Sequence, residues 1–446
     1  MSNLPNVPNP TNAANATFGK VKEGAAAMKN FANELMGDGN CYLVVVYLVC
    51  IIFLVIFSNS LYLRKELTKS EDNLKKMEEI TAGRINLLPL TSSDYYLKNE
   101  EYDNTYYALL DYYVMGSYNS CCSGPIINGH VSTDALDNVI KHGVRFLDFE
   151  IYLKDNKAVV AAGRNNIYIK DTLNELNLGE VLEFVKDKAL NGSVENNTDP
   201  LLLQFRIMSG NDTIYSILAH SIKTHFKQFL APAIYGKGGD VVKKSKDEKS
   251  TSNYSGNGKT KFKNNILHAD LNMLKNKVII IVKDHPDFKG QYKKNKDLYE
   301  LVNIGNSNND TVIWRTDYDI NNSSNASTVK EENKYSYCIT NPDPFNSKEN
   351  SKASTHILLG CQAILMNFGA GFNDTQMKFY KRKFAEAQRA FLLKPKNLRR
   401  ARLFIGAPKK LDERMGVVQE RVVVDYGGDT PMDLGYWPGG GNIPNI

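Results

Sequence analysis

The chain has 446 residues, 42% of them hydrophobic and 23% charged, with six cysteines and a net charge of +6. These proportions exclude a disordered or collagen-like chain, and so few cysteines in such a length exclude a disulfide-built scaffold. The small positive surplus suits an anionic membrane surface and is too weak to imply nucleic acid as a partner.

Residues 1–40, rich in Asn, Pro and Ala, read as a mobile N-terminal segment. Cys41 to Phe57 is an unbroken apolar run, and Leu61, Tyr62 and Leu63 extend it before Arg64 and Lys65. A run of about 20 such residues spans the hydrocarbon core as a helix, so 41–63 is expected to be a single transmembrane helix. A signal peptide fits poorly, because 40 residues precede the run and no A-x-A site follows it. Lys22 and Lys29 lie before the span, whereas Arg64, Lys65, Lys69, Lys75 and Lys76 lie after it. That bias predicts a cytosolic location for everything C-terminal to the span. Residues 64–104 read as a charged stalk or linker.

From residue 105 short apolar strands alternate with helical stretches. The strands are expected at 112–117, 144–153, 158–162, 201–207, 277–283, 312–315, 363–368 and 390–394. The helices are expected at 132–142, 171–189, 212–230 and 374–389. A run such as VIIIV (278–282) has no alternation and is buried on both faces, as in a parallel sheet. About eight strands with helices between them predict an α/β fold, a (β/α)8 barrel over 105–400. The polar stretches 243–265 and 319–352 read as surface loops or insertions. Residues 401–446 form a C-terminal extension with a Gly/Pro-rich, extended tail. Cys121, Cys122, Cys338 and Cys361 show no C-x-x-C spacing, which argues against a zinc ribbon.

The chemistry concentrates on one predicted strand. In VRFLDFEIY the period of two places Phe146, Asp148 and Glu150 on one face and Leu147, Phe149 and Ile151 on the other. The apolar set meets the outer helices, so both carboxylates point inward near the strand end, where barrels usually carry their sites. The same count on LLLQFRI turns Leu202, Gln204 and Arg206 inward, so Arg206 is placed to pair with Asp148 or Glu150. From spacing alone, a salt-bridge network that only closes the barrel is as good a reading as a site.

SYNS (117–120), GVRFLDFEIYLKD (143–155), DPLLLQFRI (199–207) and LKNKVIIIVK (274–283) stand in the order of the X half of phosphoinositide-specific phospholipase C. GCQAILMNFGAG (360–371) followed by AFLLKP (390–395) resembles the Y half of the same family. The resemblance covers about 105–400 and implies an X half at about 105–288, an insertion at about 319–352 and a Y half at about 353–400. In that family two histidines act as acid and base while the inositol 2-hydroxyl attacks phosphorus, and a calcium ion stabilises the phosphoryl oxygens. The positions matching the two histidines are Tyr118 and Ala162 here, so the resemblance assigns no catalytic residue to this chain. Asn119, Asp148 and Glu150 match calcium ligands, with Asp and Glu exchanged. The fourth ligand position is Arg206, a guanidinium where the family has a carboxylate. Calcium prefers several hard oxygen donors, so weak calcium binding or none is expected, with Arg206 filling the space. Lys283 matches a lysine that contacts inositol phosphates and, with Arg206, is a candidate for binding an anionic headgroup.

Each acid–base group contributes about 10²–10⁴ in rate, so loss of both removes most activity. The expectation is a membrane-anchored pseudoenzyme, not an active enzyme, that binds a phosphoinositide headgroup or a protein partner. One rival is an active phosphodiesterase with a rearranged acid–base pair that uses His130 or Tyr118. Another is a structural membrane protein in the virion of a large DNA virus. That source is suggested by 48 asparagines, a bias typical of AT-rich genomes.

Overall fold

The computed structural model describes residues 41–82, 86–97, 105–164, 169–192, 194–235, 265–306, 312–323, 325–343, 350–369, 374–400, 419–424 and 432–438, with a few positions in 26–33. It divides into two units, Met1–Lys69 and Ser70–Ile446.

In the first unit, apart from the few positions in 26–33, the described chain is the N-terminal part of one unbroken helix, α1 (Cys41–Ala82). No proline or glycine interrupts it, and the polar trio Ser58, Asn59 and Ser60 does not break it. Its large apolar side chains from Val45 to Leu63 are exposed. Among the described residues it is the helix long and apolar enough to cross a membrane. A helix suits that environment because it satisfies every backbone polar group internally.

The second unit is built on eight parallel strands. They are β1 (Tyr112–Ser117), β2 (Phe146–Lys154), β3 (Leu201–Ile207), β4 (Val278–Asp284), β5 (Ile304–Gly305), β6 (Val312–Thr316), β7 (Tyr337–Asn341) and β8 (Ala363–Met366). Each pairs with the next in sequence except β5 with β6, and β8 closes back onto β1. The result is a nearly closed barrel whose eight strand ends point one way. One continuous apolar core fills it and extends under the helices. The return helices include Thr133–Lys141, Leu178–Val185, Asp212–Phe226 and Thr375–Ala387. Asn177, Asn211, Asn295 and Asn325 each cap a helix by accepting a backbone N–H, so part of the asparagine surplus does structural work. The last turns of α1 belong to this unit. Ser70 Oγ lies 2.7 Å from Ser123 Oγ, and Met77, Leu87 and Leu90 are buried in the core.

Several elements differ from the sequence expectation. The expected strands at 158–162 and 390–394 exist but are antiparallel additions. Lys157–Ala161 pairs with β2, and Phe391–Leu393 pairs with β1. The missing barrel strands are β5, too short to show a pattern, and β7. The latter lies inside the 319–352 stretch expected to be an insertion. Tyr337, Cys338, Ile339 and Thr340 are buried there, but the flanking Asn and Ser residues hide so short an apolar segment. The helix expected at 171–189 starts only at Leu178, because Leu176–Asn177 pairs as a strand with Val159–Val160. In the C-terminal extension, Gln419–Val424 and Met432–Pro438 pair as an antiparallel hairpin, and most of the tail expected to be extended, 439–446, lies outside the described residues. Residues 243–264 and most of 1–40 lie outside the described residues.

Two buried acids give the barrel a pH signature. Asp284, at the end of β4, accepts the N–H of Tyr292 at 3.2 Å, and Asp199 accepts that of Leu90 at 2.9 Å. Burial pushes each carboxyl up to about 6 from an ordinary 3.8. The folded chain therefore holds these protons more tightly than the unfolded chain does. The stability they contribute is complete below about pH 4 and is lost as pH rises through about 6. Denaturant titrations of the native chain and Asp284→Asn should show their stability difference shifting in favour of the variant by roughly 3 kcal/mol between pH 4 and 7. A difference independent of pH would show that Asp284 titrates normally.

Candidate functional site

The parallel registers set out the site. Glu150 on β2 lies opposite Arg206 on β3, and Arg206 lies opposite Lys283 on β4. One step deeper, Asp148 lies opposite Gln204. The chain leaving β1 brings Tyr118 and Asn119 to the same mouth.

Arg206 is the hub and is only 6% exposed. Its Nε donates to Asp148 Oδ1 at 2.9 Å and its Nη2 to Asp148 Oδ2 at 2.8 Å, a bidentate pair. Nη1 donates to Glu150 Oε1, and Nη2 also donates to Asn119 Oδ1 at 2.6 Å. The guanidinium carbon lies 4.6 Å from the centre of the Tyr118 ring, which covers it. The remaining carboxylate capacity is used as well. Asp148 accepts Gln204 Nε2 at 2.8 Å and the Asn119 backbone N–H at 3.0 Å. Glu150 Oε2 accepts Tyr152 OH at 2.9 Å and the Gly163 N–H at 2.6 Å. Trp314 Nε1 on β6 donates to Gln204 Oε1 at 2.9 Å, carrying the network across the barrel.

The electrostatics follow from this packing. Burial raises the Glu150 carboxyl, and the Arg206 charge opposes that rise. The two carboxylates hold Arg206 well above its ordinary range against its own burial. Burial also pushes the Tyr118 phenol up, only partly opposed by Arg206, so it stays protonated at neutral pH and is no base. Lys283 is half-buried, with its ammonium 5.8 Å from the centre of the Trp314 ring. Burial, then the Arg206 charge, lowers its amine to about 8. Asn119 sits at φ 43°, a left-handed conformation that asparagine tolerates. That turn aims its backbone N–H at Asp148 and leaves its side-chain Nδ2 buried without a partner.

Five residues singled out from sequence thus converge directly: Tyr118, Asn119, Asp148, Glu150 and Arg206. Lys283 takes the next position across the sheet. Ala162 is fully buried beside Gly163, whose N–H reaches Glu150. His130 offers its backbone carbonyl to Ser123. Among the described residues, the hydrogen bonds and ion pairs of Arg206, Asp148 and Glu150 involve no histidine. The oxygens that the family resemblance assigns to calcium, those of Asn119, Asp148 and Glu150, are occupied by protein donors. Among the described residues no group of three or more His, Cys, Asp or Glu is placed to hold a metal. Sequence reading missed Trp314, Tyr152 and Gly163. Tyr152 was findable, two positions after Glu150 on the same strand face. Trp314 and Gly163 enter only through tertiary closure.

No family model and no curated protein matches the chain. Solved structures resemble it at low identity. The crystal structure of PLC21 from L. pealei is 17% identical with a TM-score of 0.49, covering 67% of this chain and 38% of that one. PLC21 from S. officinalis is 17% identical with a TM-score of 0.49, covering 69% and 40%. The phosphatidylinositol-specific phospholipase C from Listeria monocytogenes is 12% identical with a TM-score of 0.35, covering 62% and 93%. The chain spans about two fifths of the length of the two PLC21 chains.

Proposed function

We propose that this protein is a membrane-anchored, phospholipase C-like barrel that has exchanged catalysis for binding, and that its mouth takes the phosphate of an anionic lipid headgroup. The observation that carries this reading is the Arg206 guanidinium, seated among the three side chains that would otherwise hold calcium. A divalent cation there would face a fixed positive charge and find its oxygen ligands already committed. Two further features support the loss of catalysis. Tyr118 and Ala162 stand where an acid–base pair would act, and the Tyr118 phenol stays protonated.

Binding is supported by what the mouth still offers an anion. Lys283 supplies a partly exposed charge, Asn119 Nδ2 is an unmet donor, and the Trp314 ring lies beside Lys283. The apolar stretch of α1 would hold the barrel at a bilayer, on the cytosolic side by its lysine bias. A protein partner at the same mouth is the competing occupant.

The test uses the full chain in phosphatidylcholine nanodiscs, titrated calorimetrically with soluble inositol bisphosphate. Binding is expected, weakened at least tenfold by Lys283→Ala, because a hydrogen bond to a charged group is worth about 1.5–3 kcal/mol. Raising the pH above 8 should weaken it too, as the Lys283 amine loses its proton. No binding, or binding indifferent to Lys283→Ala, contradicts the headgroup reading and leaves the protein partner.

A further inference from the structure

Away from that mouth, the layer between β6, β7, β8 and their covering helix contains a second polar cluster that the proposed function does not use. Cys338 lies on β7 and Cys361 just before β8, and both are fully buried. β7 and β8 pair with Ile339 opposite Ala363. Continued back one step, that register sets Cys338 against Gln362, and the Cys338 N–H donates to Gln362 Oε1 at 2.8 Å. Cys361 is then one residue off directly opposite. Cys361 precedes β8 itself, so the alternation of faces along that strand does not bind it. Disulfides join Cα atoms about 4.4–6.8 Å apart, within the reach of neighbouring strands.

The surroundings treat the sulfurs as a pair. Arg315 Nη1 lies 3.8 Å from Cys338 Sγ and 3.2 Å from Asn333 Oδ1. The other end of the same amide, Asn333 Nδ2, lies 3.5 Å from Cys361 Sγ. Lys394, itself buried, donates to the Asn333 carbonyl at 2.9 Å, bringing a second cation to the cluster. Opposing charges come from Glu332, which pairs with Arg315, and from Asp111 near Lys394. The neighbouring Cys361 thiol and, against burial, the Arg315 charge lower Cys338 below the ordinary thiol value. Cys361 is correspondingly held well above it. The Arg315 cation at 3.8 Å marks Cys338 as the attacking sulfur and leaves Cys361 as the resolving one. Arg315 connects the cluster to solvent, since its side chain is 16% exposed and that of its partner Glu332 is 44% exposed.

We infer that Cys338 and Cys361 are a peroxide-sensitive dithiol that closes reversibly to a disulfide and ties β7 to β8. In the first step the Cys338 thiolate attacks one oxygen of hydrogen peroxide and the O–O bond breaks. Cys338 becomes a sulfenic acid, and the departing hydroxide takes a proton to leave as water. In the second step the Cys361 sulfur attacks the Cys338 sulfur, the S–O bond breaks, and a second water leaves with the thiol proton. Two thiols are oxidised by two electrons and one peroxide is reduced to two waters. A small dithiol reductant reverses the change.

The test treats the full chain, in detergent, with hydrogen peroxide, then unfolds it, alkylates the remaining thiols and maps the peptides. The expected result is a Cys338–Cys361 cross-link, lost on treatment with dithiothreitol. In Cys361→Ser, Cys338 should accumulate as a sulfenic acid trapped by dimedone. In Cys338→Ser, Cys361 should stay an alkylatable thiol. The inference is overturned if the native chain keeps both residues alkylatable, or if the cross-link joins Cys121 or Cys122 instead. It is also overturned if dimedone labels Cys361 rather than Cys338. The native-chain map decides the matter even if either serine variant fails to fold.

Discussion

Arg206→Met is expected to destabilise the barrel by about 3–5 kcal/mol, the usual cost of removing one partner from a buried ion pair. Methionine fills similar volume, so the loss comes from charge rather than from a cavity. Asp148 and Glu150 would remain fully buried with no cation between them, and Asn119 Oδ1 would lose its donor. Repulsion between the two carboxylates adds to the cost of their desolvation. Neutralising them should recover most of it, so Arg206→Met combined with Asp148→Asn and Glu150→Gln is expected to lie much closer to the native chain than Arg206→Met alone. The deficit should also shrink toward acid pH, because Glu150 already titrates above its ordinary value and takes up a proton more readily once the guanidinium is gone. Denaturant unfolding of the three proteins measures this directly. A native-like midpoint for Arg206→Met would mean that water or a neighbouring group neutralises the pair and that the guanidinium is not structural.

The second large effect runs the other way. Arg206→Glu replaces the blocking charge with a third carboxylate beside Asp148 and Glu150 and frees Asn119 Oδ1. That donor set is the hard, anionic kind calcium favours. Without the ion, the variant should be less stable than Arg206→Met, since three carboxylates then crowd one buried space. With calcium at a hundredfold excess over its dissociation constant, it should regain about 2.7 kcal/mol. The native chain should show no calcium-dependent shift in its unfolding midpoint. Calcium stabilisation of the native chain, or none of Arg206→Glu, would contradict the idea that one side chain controls metal access. The variant is not expected to gain turnover, because Tyr118 and Ala162 stand at the positions that the family resemblance assigns to the acid–base pair.

Much of this site was legible in the sequence because strands have a period of two. Counting along FLDFEIY and LLLQFRI was enough to turn Asp148, Glu150, Gln204 and Arg206 to the same interior, and the registers place them in adjacent rows. Spacing did not show that Arg206 takes both carboxylates at once, nor that Gly163 and Tyr152 close the far side of Glu150. Those contacts depend on how the Lys157–Ala161 hairpin folds back over β2. Trp314 was equally unreadable, since it reaches Gln204 only because the barrel brings β6 round to face β3. The fold class was readable from the doubly buried runs, but its strand inventory was not. Polarity of the flanking residues concealed β7, and two true strands of the sheet, Lys157–Ala161 and Phe391–Leu393, run antiparallel, a direction that apolar patterning does not encode.

The most direct test of the central claim is turnover by the full chain reconstituted in vesicles that contain phosphatidylinositol bisphosphate. Release of inositol phosphate would be followed with millimolar calcium and with chelator. The prediction is that release does not rise above protein-free vesicles in either condition, while the same preparation binds soluble inositol bisphosphate. Calcium-dependent release that chelation abolishes would contradict it, and would mean that the Arg206 guanidinium gives way to the metal during a working catalytic cycle.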